Sequence, residues 1–262
     1  MYKKTFAIAS LIAALLITVT PAGAITFGEP DGNRHPNVGL ILADYRVIGT
    51  PTPRASGTLI SPTVFLVAGH TLYRLSRLGI TKIWVTFDSE FDSATSQLIP
   101  AVSWVIHPNF DPETLFNDVG VVILSEPVPS VTPAVLPSED LLAQMKAAGS
   151  LQDQTFVNVG YGLTADFKGM PPTFVADGVR RFSTSPYGSL TQNWLRLLGN
   201  HDATGEGSVC NADSGGPHFL GDSNLIVSLT SWIDTVCRSL DMTQRLDTAS
   251  VRAFLDDYVT LP

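Results

Sequence analysis

The chain of 262 residues reads as an all-β protein of enzyme size, on three observations. Short runs of Val, Ile, Leu and aromatic residues recur along its length, at the spacing of strands joined by turns. Its 18 prolines and 21 glycines are scattered, which punctuates the chain too often for long helices. Apolar residues at helical period are correspondingly scarce. With 44% hydrophobic and 15% charged residues, the composition excludes a disordered, collagenous or coiled-coil chain.

The first element is a targeting segment. Lys3 and Lys4 precede an apolar run from Phe6 to Val19, and Pro21 with Ala22-Gly23-Ala24 completes a secretory signal with an A-x-A cleavage site. The run is shorter than the roughly 20 residues a membrane span needs. Removal of 1–24 leaves 14 basic against 24 acidic residues, a net charge of −10. The mature protein is expected to be exported, extracellular or periplasmic, with no hold on the membrane after cleavage.

Six strand-like runs follow, at Val38–Leu42, Thr58–Ile60, Val64–Val67, Ile83–Phe87, Val102–Ile106 and Val119–Leu124. Pro127, Pro129, Pro133 and Pro137 then mark a linker, since no central strand or helix accommodates that density of proline. Six more runs come after it, at Thr155–Val159, Gly178–Phe182, Trp194–Leu198, His218–Leu220, Leu225–Trp232 and Met242–Leu246. Two domains are expected, 25–130 and 131–262. Ser138 can cap a helix carrying Leu141, Leu142 and Met145 on one face, with Gly149 at its left-handed stop. Asp247 or Thr248 can cap a terminal helix whose Val251, Phe254, Leu255, Tyr258 and Val259 form one apolar stripe. Both read as packing helices.

Several functional classes fall away. The whole chain has a net charge of −8 and its basic residues never form a run, which argues against nucleic acid and anionic lipid as partners. His35, His107, His201 and His218 lack metal-ligand spacing. Asp88, Glu90 and Asp92 read as a solvated acidic edge rather than a calcium site. Neither a metal nor a cofactor is expected. In an exported protein Cys210 and Cys237 stand where a disulfide persists, and two cysteines allow one bridge.

The sharpest motif is Cys210-Asn211-Ala212-Asp213-Ser214-Gly215-Gly216-Pro217. A serine between small, flexible residues suits a tight turn that exposes its hydroxyl beside backbone N–H groups able to receive an oxyanion. Upstream, Val67-Ala68-Gly69-His70 puts a histidine at the end of an apolar strand, and Asn117-Asp118-Val119 puts an aspartate at the start of another. A serine hydroxyl is a poor nucleophile at neutral pH, so Ser214 needs a general base; His70 supplies it and Asp118 fixes its tautomer.

In that order of His, Asp and Ser the chain resembles the trypsin/chymotrypsin family of serine proteases. Gly57-Thr58-Leu59-Ile60, His107-Pro108-Asn109-Phe110, Val159-Gly160-Tyr161-Gly162 and Ser231-Trp232 resemble further marks of that family, in its order. The resemblance implies two six-stranded antiparallel β-barrels with a C-terminal helix and an active site between them. It makes His70, Asp118 and Ser214 the catalytic residues of a serine endopeptidase acting on proteins or peptides, expected to be a monomer. It assigns the oxyanion hole to the N–H groups of Ala212 and Ser214, and pairs Cys210 with Cys237. It gives substrate contacts to Ser208, Ser231, Trp232 and Ile233, and pairs Asp213 with the terminus of a mature chain beginning at Ile25.

Three positions qualify these expectations. Ala212 replaces the family's glycine, so a left-handed backbone there would carry a Cβ at a cost of about 1 kcal/mol. Ser208 stands at the base of the primary pocket where a carboxylate would select Lys or Arg, and Ile233 replaces a glycine on its wall; a small or medium neutral residue is expected. The alternative reading is a catalytically silent relative that binds proteins or peptides through the same cleft.

Overall fold

The computed structural model describes residues 25–44, 50–166 and 171–262; the expected signal segment, 1–24, lies outside them. The strands are β1 Glu29–Pro30, β2 Val38–Ala43, β3 Thr52–Ser61, β4 Val64–Val67, β5 Ile83–Thr86, β6 Ile99–Ile106, β7 Gly120–Leu124, β8 Thr155–Gly160, β9 Thr164–Asp166, β10 Thr173–Val175, β11 Arg181–Leu190, β12 Trp194–Leu198, β13 Pro217–Leu220, β14 Ile226–Ile233 and β15 Leu240–Arg245. The helices are α1 Gly69–Arg77, α2 Leu141–Ala147, α3 His201–Thr204 and α4 Ala249–Leu255.

Strands β2-β3-β4-β7-β6-β5 close into one antiparallel barrel, β5 pairing back onto β2. Strands β8-β11-β12-β15-β14-β13 close into a second, through the β13–β8 and β11–β8 ladders. The two barrels have the same strand order, and closure leaves neither with a free edge. Each of the twelve strand-like runs overlaps one of these twelve barrel strands, the run Gly178–Phe182 only by its last two residues. All-β architecture with two six-stranded barrels and a C-terminal helix is therefore the fold. Among the described residues no helix is long and apolar enough to cross a membrane.

Local differences from the sequence reading have tertiary causes. The expected strand Gly178–Phe182 begins at Arg181 and runs to Leu190, a proline at 186 being tolerated because it pairs at the end of the β8 ladder, next to a bulge at Tyr187 and Ser189. Helix α2 starts at Leu141, not after Ser138: Asp247, from far along the chain, accepts the N–H of Leu142 at 2.8 Å and supplies the cap. Thr248 caps α4 as expected, but that helix stops at Leu255, and Tyr258 and Val259 pack on the core from beyond it. Helix α1 is new; His70 belongs to its first turn rather than to the end of a strand.

Three apolar clusters organise the molecule. Phe65, Leu59, Val67 and Val122 fill the first barrel. Phe156, Leu195, Leu197 and Val227 fill one end of the second. The third joins the barrels, with Val38, Leu40 and Val119 from one packed with Val157, Val159, Phe219 and Leu229 from the other. Each end of the described chain reaches across this seam. Strand β1 pairs with β11 of the second barrel, whereas on α4 the Ser250 carbonyl accepts from His107 Nε2 at 3.1 Å, beside the first barrel.

A buried arginine bolts the seam. Arg180 is fully buried and donates to Asp31 at 2.9 Å, to the carbonyls of Gly32, Val38 and Phe87 at 3.0, 3.0 and 2.9 Å, and to the Tyr161 hydroxyl at 3.1 Å. Its guanidinium thus links the amino-terminal crossing, the first barrel and the second. Burial alone would raise the Asp31 carboxyl, but bonds from His35 and Arg180 outweigh it and hold the group below its ordinary range. Burial also pushes the Tyr161 hydroxyl up to about 12. Removing one partner of such a pair strands the other charge in a dry site, so Asp31→Ala is expected to cost ~3–5 kcal/mol in denaturant unfolding. A change below 1 kcal/mol would mean that the pair does not bolt the seam.

Candidate active site

The His70 side chain meets residues from both barrels. Its Nδ1 lies 2.7 Å from Asp118 Oδ2, its backbone N–H donates to Asp118 Oδ1 at 2.6 Å, and its Nε2 lies 2.9 Å from Ser214 Oγ. An ionised carboxylate only accepts, so Nδ1 is the protonated nitrogen of the neutral ring and Nε2 is free to accept the Ser214 proton. Asp118 is fully buried and Ser214 half-buried. The three residues singled out from sequence form one hydrogen-bonded line.

The backbone around each member explains the motifs. Asn117 adopts a left-handed conformation, φ 54°, and its side chain donates to the Asn109 carbonyl at 3.0 Å. His107 donates its N–H to the Val119 carbonyl at 2.9 Å, so the His107–Phe110 stretch folds back to aim Asp118. Asp118 N–H donates to Gln244 Oε1 at 3.1 Å, and the Ser231 hydroxyl donates to Asp118 Oδ2, both from the second barrel. Ser231, expected at the substrate edge, thus also holds the carboxylate. Gln244 carried no sequence signal, because its role is one hydrogen bond across the seam.

Around Ser214 the turn is tight. Asp213 N–H donates to the Cys210 carbonyl at 3.0 Å, and Ala212 takes φ 73°, so the left-handed strain anticipated there is present. Gly215 has φ 83°, and a Cβ on it would sit 2.6 Å from the Ala68 nitrogen. Cys210 and Cys237 form the disulfide, tying this turn to the segment after Trp232. Such a bridge is worth ~2–4 kcal/mol.

Asp213 is fully buried; its carboxylate accepts from Gly162 N–H and Cys210 N–H, each at 2.8 Å. Burial pushes its pKa up to about 7, against the opposing pull of those bonds and of Ser56. Gly162 is required here, since a Cβ would fall 2.3 Å from an Asp213 oxygen. Ile25 is also fully buried, with its carbonyl accepting from Gly28 N–H at 2.8 Å. Thr26 bridges to Ser208, whose N–H donates to the Thr26 carbonyl at 3.1 Å. The amino-terminal residues therefore lie against the chain segment that leads to the nucleophile.

A cleft of about 640 Å³ opens over this site. Trp232, 49% exposed, and Ile233 border it with Ala212 and Ser214. Ser208 lies deeper: it is fully buried and donates to Asp241 Oδ1 at 2.7 Å, with Val209 N–H reaching Oδ2 at 3.4 Å. Asp241 was missed in the sequence. It is brought to Ser208 only because β15 pairs with β14, setting Asp241 opposite Ile233. Burial, aided by Asp234 and Asp213, pushes its pKa up to about 7.

Behind the nucleophile turn lies a second unforeseen group. His218 Nδ1 lies 2.7 Å from Asn158 Oδ1 and its Nε2 lies 3.0 Å from Thr230 Oγ1, while the Thr230 carbonyl accepts Gly215 N–H at 2.8 Å. Burial pushes this imidazole down to about 3.

Comparison with known proteins agrees with the geometry. A family model described as Trypsin matches residues 43–247. Brachyurin from Leptuca pugilator is 27% identical over 189 residues, covering 67% of this chain and 74% of that protein. In fold, a mutant of human heparin binding protein superposes with a TM-score of 0.67 at 18% identity, over 89% of this chain and 96% of that one. HL collagenase gives 0.67 at 16% identity, over 88% and 97%.

Burial of His218 is expected to make the molecule acid-sensitive. Its folded pKa lies below the unfolded 6.5, so its contribution to stability is complete above pH 6.5 and is lost as pH falls toward 3. The denaturant midpoint is expected to drop over that window, and His218→Gln to flatten the drop. An unchanged slope in the variant would assign the acid sensitivity to other groups.

Proposed function

The chain belongs to the trypsin family of serine endopeptidases, and from that premise we propose that it is an exported enzyme that hydrolyses peptide bonds through an acyl-enzyme on Ser214. The observation that carries this reading is the continuous hydrogen-bonded line from Asp118 through His70 to Ser214. As Ser214 Oγ attacks the scissile carbonyl carbon, His70 Nε2 takes the hydroxyl proton. The resulting oxyanion is received by the N–H groups of Ala212 and Ser214. His70 then delivers the proton to the departing amine, the C–N bond breaks and the acyl-enzyme remains. Water, deprotonated by His70, attacks the ester and regenerates the serine. Asp118 stays ionised and stabilises the imidazolium, with Ser231 sharing the carboxylate.

The acyl side of the substrate runs along Ser231, Trp232 and Ile233. A small or medium neutral residue fits the primary pocket, because Ile233 borders the cleft while the Ser208 hydroxyl is spent on Asp241 beneath it. The chain works as a monomer, and residues 1–24 direct its export. Asp213 pairs with the ammonium of Ile25 once those residues are removed. That role fits the burial of Ile25 and the seating of Thr26 on Ser208.

A second reading, a silent homologue that binds peptides in the same cleft, draws on one observation. Ala212 carries a Cβ at a positive φ in the turn that must present the oxyanion N–H. A serine-directed phosphonate separates the two readings. Labelling is expected at Ser214, and Ser214→Ala is expected to abolish labelling and hydrolysis while thermal unfolding is unchanged. A folded chain that resists the probe and cleaves nothing selects the silent reading.

The terminus gives a separate test. With no ammonium beside it, Asp213 has a folded pKa near 7 against 3.8 unfolded. Its contribution to stability is then complete below pH 3.8 and is lost as pH rises through 7. A free Ile25 ammonium reverses that sign. A form extended before Ile25 is expected to lose stability relative to the trimmed form as pH rises from 4 to 7, and to be nearly inactive until trimmed. Full turnover by the extended form would exclude the pairing.

A further inference from the structure

We propose that Ser56, reaching across from the first barrel, is a positioning residue that holds Ala212 in the left-handed conformation of the oxyanion turn, an inference that rests on the peptidase reading above. Ser56 lies on β3, opposite Leu40 of β2, and is fully buried. Its hydroxyl donates to the Ala212 carbonyl at 3.4 Å and accepts the Tyr161 N–H at 2.9 Å. Tyr161 directly follows β8, and Ala212 belongs to the turn that carries the nucleophile. One hydroxyl of the first barrel therefore touches two separate segments of the second.

Ala212 sits between two clamped peptide units. In the unit before it, the Asn211 carbonyl accepts Leu163 N–H at 2.6 Å. A trans peptide points its N–H away from its carbonyl, so this bond turns the Ala212 N–H away from Leu163. In the unit after it, Asp213 N–H donates to the Cys210 carbonyl at 3.0 Å, and the Ala212 carbonyl is held by Ser56. Among the described residues no other donor reaches that carbonyl. With both planes fixed, the residue between them is held at φ 73° in spite of its Cβ. Release of the second plane lets Ala212 relax, and relaxation turns its N–H relative to that of Ser214. Two donors that must converge on one oxyanion would then diverge.

The packing around Ser56 leaves room for this contact and for little else. A Cβ on Gly160 would fall 2.9 Å from Ser56 Oγ, and one on Gly215 would fall 2.7 Å from the Ser56 carbonyl oxygen. Neighbouring positions are thus stripped of side chains where β3 meets the turn. The hydroxyl also acts on Asp213, drawing its carboxyl down against the larger upward push of burial. Ser56 therefore bears on consecutive residues of the turn, Ala212 and Asp213, from a strand whose position the first barrel fixes.

The test is a double-mutant cycle read in kcat. Ser56→Ala is expected to lower kcat about tenfold, the equivalent of one hydrogen bond, with KM changed by less than about twofold. Adding Ala212→Gly removes the Cβ that strains the conformation, and is expected to recover most of that loss. A kcat within about twofold of the parent, a loss confined to KM, or a loss that Ala212→Gly leaves in place would overturn the role. Should Ser56→Ala alone not fold, Ala212→Gly is expected to restore folding, and failure to restore it counts equally against the role. A crystal structure of Ser56→Ala combined with Ser214→Ala needs no turnover. There Ala212 is expected to leave the left-handed region, and a φ still near 73° would overturn the role. An inactive parent together with a relaxed Ala212 in that structure would instead fault the peptidase reading alone.

Discussion

Everything at the site depends on the register between two separately closed barrels. His70 and Asp118 belong to one and Ser214 to the other, and hydrogen bonds of 2.7 and 2.9 Å leave little room for slip. A shared apolar seam supplies cohesion but little direction, because apolar contact tolerates sliding. Direction comes from polar groups that cross it. Gln244 and Ser231 reach from the second barrel to Asp118, while Arg180 binds carbonyls of the first barrel, the Tyr161 hydroxyl of the second and an anion from the amino-terminal crossing. Because these groups are buried, any displacement would leave polar atoms unsatisfied, and the penalty rises steeply with small movements.

The nucleophile turn is built on the opposite principle. Instead of relaxed geometry it holds left-handed backbone at Ala212 and Gly215 and a dry carboxylate at Asp213. Such a conformation persists only where the surroundings determine it more than once. Here the Cys210–Cys237 bridge, the bonds from Gly162 and Cys210 to Asp213, and the Gly215–Thr230 bond all act on the same few residues. The polar end of the second barrel, with His218 between Asn158 and Thr230, backs this turn and couples it to the barrel's interior.

The charge distribution separates structure from recognition. Asp213 and Asp241 lie under the cleft, where burial pushes their pKa values up to about 7. Arg54 and Arg74 line the cleft itself. The cleft lining among the described residues thus includes basic but no carboxylate side chains in a chain whose net charge is −8, and the field at a cleft depends on the groups that border it as well as on the net charge.

The sequence by itself determined the parts that are local. Strand-like runs announced both sets of barrel strands, since a period of two and turn-forming Gly and Pro are properties of neighbouring residues. The order of His70, Asp118 and Ser214, with Ala212 departing from its motif, was legible for the same reason. What only the tertiary structure decided are contacts between residues far apart in the chain. Asp247 capping α2, Asp241 against Ser208, Gln244 and Ser231 on Asp118, Arg180 across the seam and His218 behind the turn leave no pattern along the chain. They exist because closing each barrel, and docking one on the other, brings segments distant in the chain side by side. A buried polar group must then find its partner among whatever residues that closure places within about 3 Å.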